Sequence, residues 1–174
     1  TPPPAPRRLT GARTPTASGE QRLRTGATGR MIGSMTDAQA VRYFQDKLAY
    51  ESSPRQVVAS QKAGEKLIVV DVRREEAFVK GHVPGAIHMT YNQVTDAVGR
   101  LDHTATIVVY DWGPASTEST RACLSLAAQG FQVREMIGGF EYWSRLGLGI
   151  EDAHTVVKHR VADPLVTTSK EGWD

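Results

Sequence analysis

Residues 105–129 read ATIVVYDWGPASTESTRACLSLAAQ. Ala105 to Tyr110 is a β-branched apolar run of strand length without alternation, the pattern of a strand covered on both faces. Asp111 ends it, Trp112-Gly113-Pro114-Ala115-Ser116-Thr117 is turn-rich, and Glu118 to Gln129 reads as a helix. A strand, a short loop with free backbone N–H groups and a helix N-terminus make a cradle for an anion. The residue at the strand end, Asp111, therefore decides the chemistry of the cradle.

The same strand-then-helix alternation extends in both directions. Thr36-Asp37 can cap a helix to about Lys47 with Val41, Phe44 and Leu48 on one face. A short strand is expected near Tyr50. Ser53-Pro54 then opens a helix to about Lys62 that Gly64 ends. Leu67 to Val70 is a second continuous apolar strand, Glu75 to Lys80 a short helix closed by Gly81, and Ala86-Ile87-His88 another strand. Tyr91 to Gly99 reads as helix, Val133 to Ile137 as strand, and Phe140 to about Arg145 as the last helix. Such alternation predicts an α/β fold, an approximately five-stranded parallel sheet with helices on both faces.

The domain spans residues 34–150 in this reading, between a disordered Arg- and Pro-rich extension, 1–33, and an extended tail, 151–174. Residues 1–30 hold six arginines against Glu20 alone, so this segment carries +5 and the remainder −3 of the net +2. The globular part thus offers no basic face for nucleic acid. Its extension is too poor in large aliphatics to fold alone. Met31 and Met35 are alternative starts, and what precedes them is read as an extension. No window reaches the run of about 18 apolar residues that a spanning helix needs. No membrane association and a cytoplasmic location are expected. Cys123 is the single cysteine, which excludes an intrachain disulfide and a multi-cysteine zinc site. The five histidines are scattered, and neither a metal nor another cofactor is expected.

Asp71-Val72-Arg73, Glu76-Ala77-Phe78 and Gly81-His82-Val83-Pro84-Gly85-Ala86 form one run of closely spaced motifs, and Met136-Ile137-Gly138-Gly139-Phe140-Glu141-Tyr142-Trp143 forms a second. Together they resemble the rhodanese family, whose pattern is Asp-x-Arg, Glu-x-Phe/Tyr and Gly-His-Ile/Val-Pro-Gly-Ala with a Gly-Gly-x-x-x-Trp ending. These positions have structural work to do. Asp71, Arg73 and Glu76 are expected to form a charge-assisted network, and His82 belongs to the turn motif. Gly138-Gly139 would let the backbone pass close to the loop, and Trp143 would anchor the last helix.

The resemblance implies a sulfurtransferase whose nucleophilic cysteine stands where this chain has Asp111. Related loops read Tyr-Cys-Trp-Gly-Pro-Gly-Cys-Asn-Gly; here the stretch is Tyr110-Asp111-Trp112-Gly113-Pro114-Ala115-Ser116-Thr117-Glu118. A carboxylate forms no persulfide, Ala115 and Glu118 replace glycines, and Glu118 sets a negative charge at the helix start. No catalytic residue is expected under this reading. Asp111 accepts the N–H bonds of the cradle, and the loop from Asp111 to Glu118, with Trp112 exposed, serves to bind a protein partner or a small anion. Two alternatives stand beside it. A thiosulfate or persulfide sulfurtransferase could use another thiol, Cys123, although its helix position predicts an inert, buried group. An aspartate-nucleophile phosphatase is disfavoured because Gly113 stands where such enzymes usually place an acid, with no lysine near the loop.

Overall fold

The computed structural model describes residues 37–97, 99–154 and 157–167; the expected N-terminal extension, 1–33, lies outside them. Helix α1 (Asp37–Tyr50) places Asp37 in its first turn and Lys47 in its last, each complementing the helix dipole. The apolar stripe of Val41, Phe44 and Leu48 is present but exposed, since no residue of α1 is buried. Strand β1 (Glu51–Ser52) follows directly, then α2 (Pro54–Lys62). Ser53 caps α2 in a reciprocal box: its Oγ accepts from the Gln56 amide at 3.3 Å, and Gln56 Oε1 accepts from the Ser53 amide at 2.7 Å. Pro54 at the first helical position has no N–H to lose.

The remaining elements are β2 (Leu67–Asp71), α3 (Glu75–Lys80), β3 (Ile87–His88), α4 (Tyr91–Val94), β4 (Thr106–Tyr110), α5 (Glu118–Ala128), β5 (Gln132–Met136) and α6 (Gly139–Arg145). Strands β6 (Gly149–Glu151) and β7 (Val157–His159) then form an antiparallel pair. The main sheet is parallel throughout, in the order β1-β5-β4-β2-β3. Alternate residues of the central strands enter two separate cores. Val69, Val108 and Tyr110 pack with Val57 of α2 and Phe140 and Trp143 of α6. Val70, Ile107 and Val109 pack with Val94 of α4 and Ala122 and Leu126 of α5. Both faces are covered, which is why β2 and β4 read as unbroken apolar runs.

Two expectations need correction. The helix expected over Tyr91–Gly99 stops at Val94. There the Gln129 side chain takes over the backbone partners: its Nε2 donates to the Val94 carbonyl at 2.9 Å and its Oε1 accepts from the Ala97 amide at 3.1 Å. The described part of the expected extended tail, 151–154 and 157–167, instead folds back. Glu151 exchanges two backbone hydrogen bonds with His82, at 2.8 and 2.9 Å. Asp163 Oδ2 accepts from Arg145 Nε at 2.9 Å. Three-residue strands are too short to carry a legible two-residue period, so the sequence around 149–159 shows no sign of the hairpin.

Candidate functional site

The carboxyl ends of β2 and β4 lie side by side, with Asp71 in register with Tyr110 and Asp111 one residue further on. In open parallel sheets this edge is where ligands bind. Asp71 is fully buried and fully engaged. Its Oδ1 accepts from the Arg73 amide at 2.9 Å and from Arg73 Nε at 3.0 Å; its Oδ2 accepts from Arg73 Nη2 and from the Tyr110 hydroxyl, each at 2.6 Å. Arg73 Nη2 also donates to the Gly81 carbonyl at 2.7 Å. The guanidinium carbon lies 3.9 Å from the Phe140 ring centroid and 4.7 Å from that of Trp112, a cation–π stack in a site sheltered from water. Burial, followed by the Asp71 charge, pushes the Tyr110 hydroxyl well above its ordinary pKa, keeping it a neutral donor.

Glu76 does not join this network. It is exposed in the first turn of α3, where its charge favours the helix start. His82 serves the turn as expected, with Nδ1 2.9 Å from the Phe78 carbonyl and its ring stacked on Phe78 at 3.8 Å. Trp143 is buried, and its Nε1 donates to the Gly149 carbonyl at 2.7 Å.

The cradle forms at the next position along. Asp111 is only 3% exposed. Its Oδ1 accepts from the Gly113 amide and its Oδ2 from the Ser119 amide, each at 3.1 Å. One donor lies in the loop and the other in the first turn of α5, so the carboxylate occupies the point on which the cradle converges. Thr117, at the N-cap of α5, makes no side-chain cap bond, and Asp111 supplies the missing acceptor from outside the helix. Ser116 turns the loop through its amide bond to the Gly113 carbonyl at 2.9 Å. Pro114, Ala115, Thr117 and Glu118 stand exposed around it, and Trp112 is 54% exposed.

Gly138-Gly139 holds this loop from behind. The Phe140 amide donates to the Asp111 carbonyl and the Glu141 amide to the Trp112 carbonyl, both at 2.9 Å. A Cβ on Gly139 would lie 2.6 Å from the Asp111 carbonyl oxygen and 2.7 Å from the Gly113 nitrogen, and its φ of +54° also favours glycine. The close approach expected from the sequence is therefore present.

Glu135 was not legible as part of the site. From β5 its Oε1 accepts from the Ser119 hydroxyl at 2.6 Å and from the Thr120 hydroxyl at 2.9 Å, pinning the start of α5. Its one signal was an acid inside a short strand. Cys123, on the same helix, has its thiol pushed up to about 12, chiefly by burial and further by the Glu135 and Asp111 carboxylates. Beside the loop opens a cleft of about 910 Å³ walled by Trp112, Phe140 and Ile150.

A strand-end anion cradle backed by a double glycine, with an Asp-x-Arg network on the adjacent strand, defines the class. The profile of the rhodanese-like domain matches residues 53–146, and the chain belongs to that family. It is 36% identical over 92 residues to the thiosulfate sulfurtransferase GlpE of Pseudomonas entomophila, covering 52% of this chain and 81% of that protein. Its identity to GlpE of Actinobacillus succinogenes is 34% over 93 residues, covering 53% and 82%. A crystal structure of a Bacillus halodurans protein is similar at a TM-score of 0.62 and 38% identity, covering 67% of this chain and 87% of that one. A full-length Lactobacillus plantarum protein matches at a TM-score of 0.61 and 32% identity, covering 67% and 99%. Among the described residues no helix is long and apolar enough to cross a membrane.

Proposed function

We propose that this rhodanese-family domain is silent in sulfur transfer and acts as a binding module for a protein partner or a small anion, with the loop from Asp111 to Glu118 and exposed Trp112 as its contact surface. The observation that carries this reading is the pair of amide bonds from Gly113 and Ser119 to the Asp111 carboxylate. A carboxylate oxygen has no sulfur lone pair with which to take up a sulfane sulfur, and here it stands in for the anion that a family nucleophile would become. Cys123 supports no rescue, since only the thiolate attacks and burial disfavours that form.

Thiosulfate-to-cyanide sulfur transfer by the purified protein is the test. The expected result is no turnover above a heat-denatured control, and clear turnover would overturn the proposal. Alkylation of Cys123 by iodoacetamide near pH 8 is expected to run about a thousandfold slower than that of a free cysteine, following the thiolate fraction. Fast alkylation would reopen a thiol route. Asp111→Cys alone is expected to restore only weak transfer, because Ala115, Ser116 and Glu118 remain in the loop.

A further inference from the structure

Five cationic side chains and only two acidic ones, Glu76 and Glu141, line the cleft of about 910 Å³ beside the Asp111 loop. Two of the cations are committed elsewhere. Arg73 is paired with Asp71, and Arg145 with Asp163 at 2.8 Å and Glu141 at 3.5 Å. Arg74, Lys80 and Arg160 form no ion pair among the described residues, and all three are exposed. They come from three places: the residue before α3, the end of α3 and the stretch just after β7. Arg160 and Ile150 lie beyond residue 146, where the family match ends, so the C-terminal hairpin completes this cleft.

The wall is of different chemistry. Phe140 and Ile150 are apolar and nearly buried, and the exposed indole of Trp112 stands beside them. Below Trp112 lies Arg73, 1% exposed, whose Nη1 is buried without a hydrogen-bond partner among the described residues. An unpaired buried donor on a cationic group is costly unless something answers it. Its charge is answered by Asp71, so what it offers a ligand is this one unused N–H donor.

We propose that this cleft, and not the cradle filled by Asp111, is the ligand site, and that it takes a small organic anion: an apolar or aromatic body against Trp112, Phe140 and Ile150, with its acidic group toward Arg74, Lys80 and Arg160. The volume lies in the range of small-molecule sites, and an apolar wall with a few placed charges is their usual make-up. The inference rests on the binding-module reading and names its ligand class.

The probe is 1-anilinonaphthalene-8-sulfonate, compared with N-phenyl-1-naphthylamine, the same ring system without the sulfonate. The sulfonate dye is expected to bind one-to-one and about tenfold more tightly than its neutral analogue, with that advantage falling as salt rises. Lys80→Gln with Arg160→Gln is expected to remove most of the advantage and leave neutral-dye binding unchanged. Phe44→Ser with Leu48→Ser, on the exposed face of α1, is expected to alter neither. Equal affinity for the two dyes, no one-to-one complex, or loss of binding only in the α1 variant would each overturn the proposal. None of these outcomes depends on sulfur transfer, so turnover in the thiosulfate assay with normal dye binding would sink the silent-domain reading alone.

Discussion

Asp71 and Asp111 end neighbouring parallel strands at one edge of the sheet, and both are buried, yet they are satisfied in opposite ways. Asp71 is held mainly by side chains, a guanidinium that grips both of its oxygens and a tyrosine hydroxyl, with the Arg73 amide as its backbone donor. Among the described residues Asp111 is held by backbone amides alone, one from the loop and one from a helix start. A side-chain network ties together parts of the fold that would otherwise be independent, here β2, β4 and the turn at Gly81. A pair of converging backbone amides asks only for an acceptor oxygen or an anion, whatever group supplies it. The first aspartate belongs to the architecture. The second fills, from within, the point on which two backbone amides converge.

The comparison is broken most directly at the first aspartate. Arg73→Met removes one member of a buried pair and leaves the Asp71 charge answered only by Tyr110 and a backbone amide. The expected loss is about 3–5 kcal/mol in urea unfolding. Replacing both partners, Asp71→Leu with Arg73→Met, is expected to recover a good part of it, since no uncompensated charge then remains. A loss under about 1 kcal/mol for Arg73→Met, the level of an exposed pair, would mean that Asp71 is no more structural than Asp111.

Gly139→Ala tests the backbone that shapes the second site. The new Cβ would press on the Asp111 carbonyl and the Gly113 nitrogen, neither of which can swing away. The added cost of a left-handed φ brings the expected destabilisation to about 2–3 kcal/mol. Gly85→Ala is the control, having a comparable φ of +72° with nothing within 4 Å of its Cβ. It is expected to cost less, and equal losses would show that backbone angle, not the close approach, explains Gly139.

Much of this was legible because it depends on local pattern. The unbroken runs at Leu67–Val70 and Ile107–Val109 announced strands covered on both faces, and Ser53-Pro54 announced a helix start. The place of Asp111 between a strand and a helix likewise announced amides within reach of its carboxylate. What escaped the sequence depends on distance in space. Gln129 ends α4 from some thirty residues away, and nothing near Val94 foretells it. Glu135 reaches Ser119 and Thr120 across the sheet edge. Glu76 failed in the other direction, since proximity in the chain suggested a partner for Asp71 while the helix turned its carboxylate outward. Arg160 acquires its meaning only because a hairpin too short to show a period carries it to the cleft.

The smallest expected effects sit at Asp111 itself and ask whether the cradle needs a charge or only an occupant. Asp111→Ala leaves the Gly113 and Ser119 amides without their acceptor and removes the outside cap of α5, for an expected loss of about 1–2 kcal/mol. Asp111→Asn conserves the volume but can offer an oxygen to only one of the two amides; its NH₂ must face the other donor. A loss of about 1 kcal/mol is expected for it, whereas wild-type stability would show that one acceptor suffices. Sulfate separates receptor from filler, because an emptied pair of amides can take an anion that the occupied pair cannot. It is expected to raise the unfolding midpoint of Asp111→Ala more than that of the wild type, beyond the general salting effect both share. An equal rise would mean that the cradle collapses once its carboxylate is gone, and that Asp111, like Asp71, holds up part of the fold.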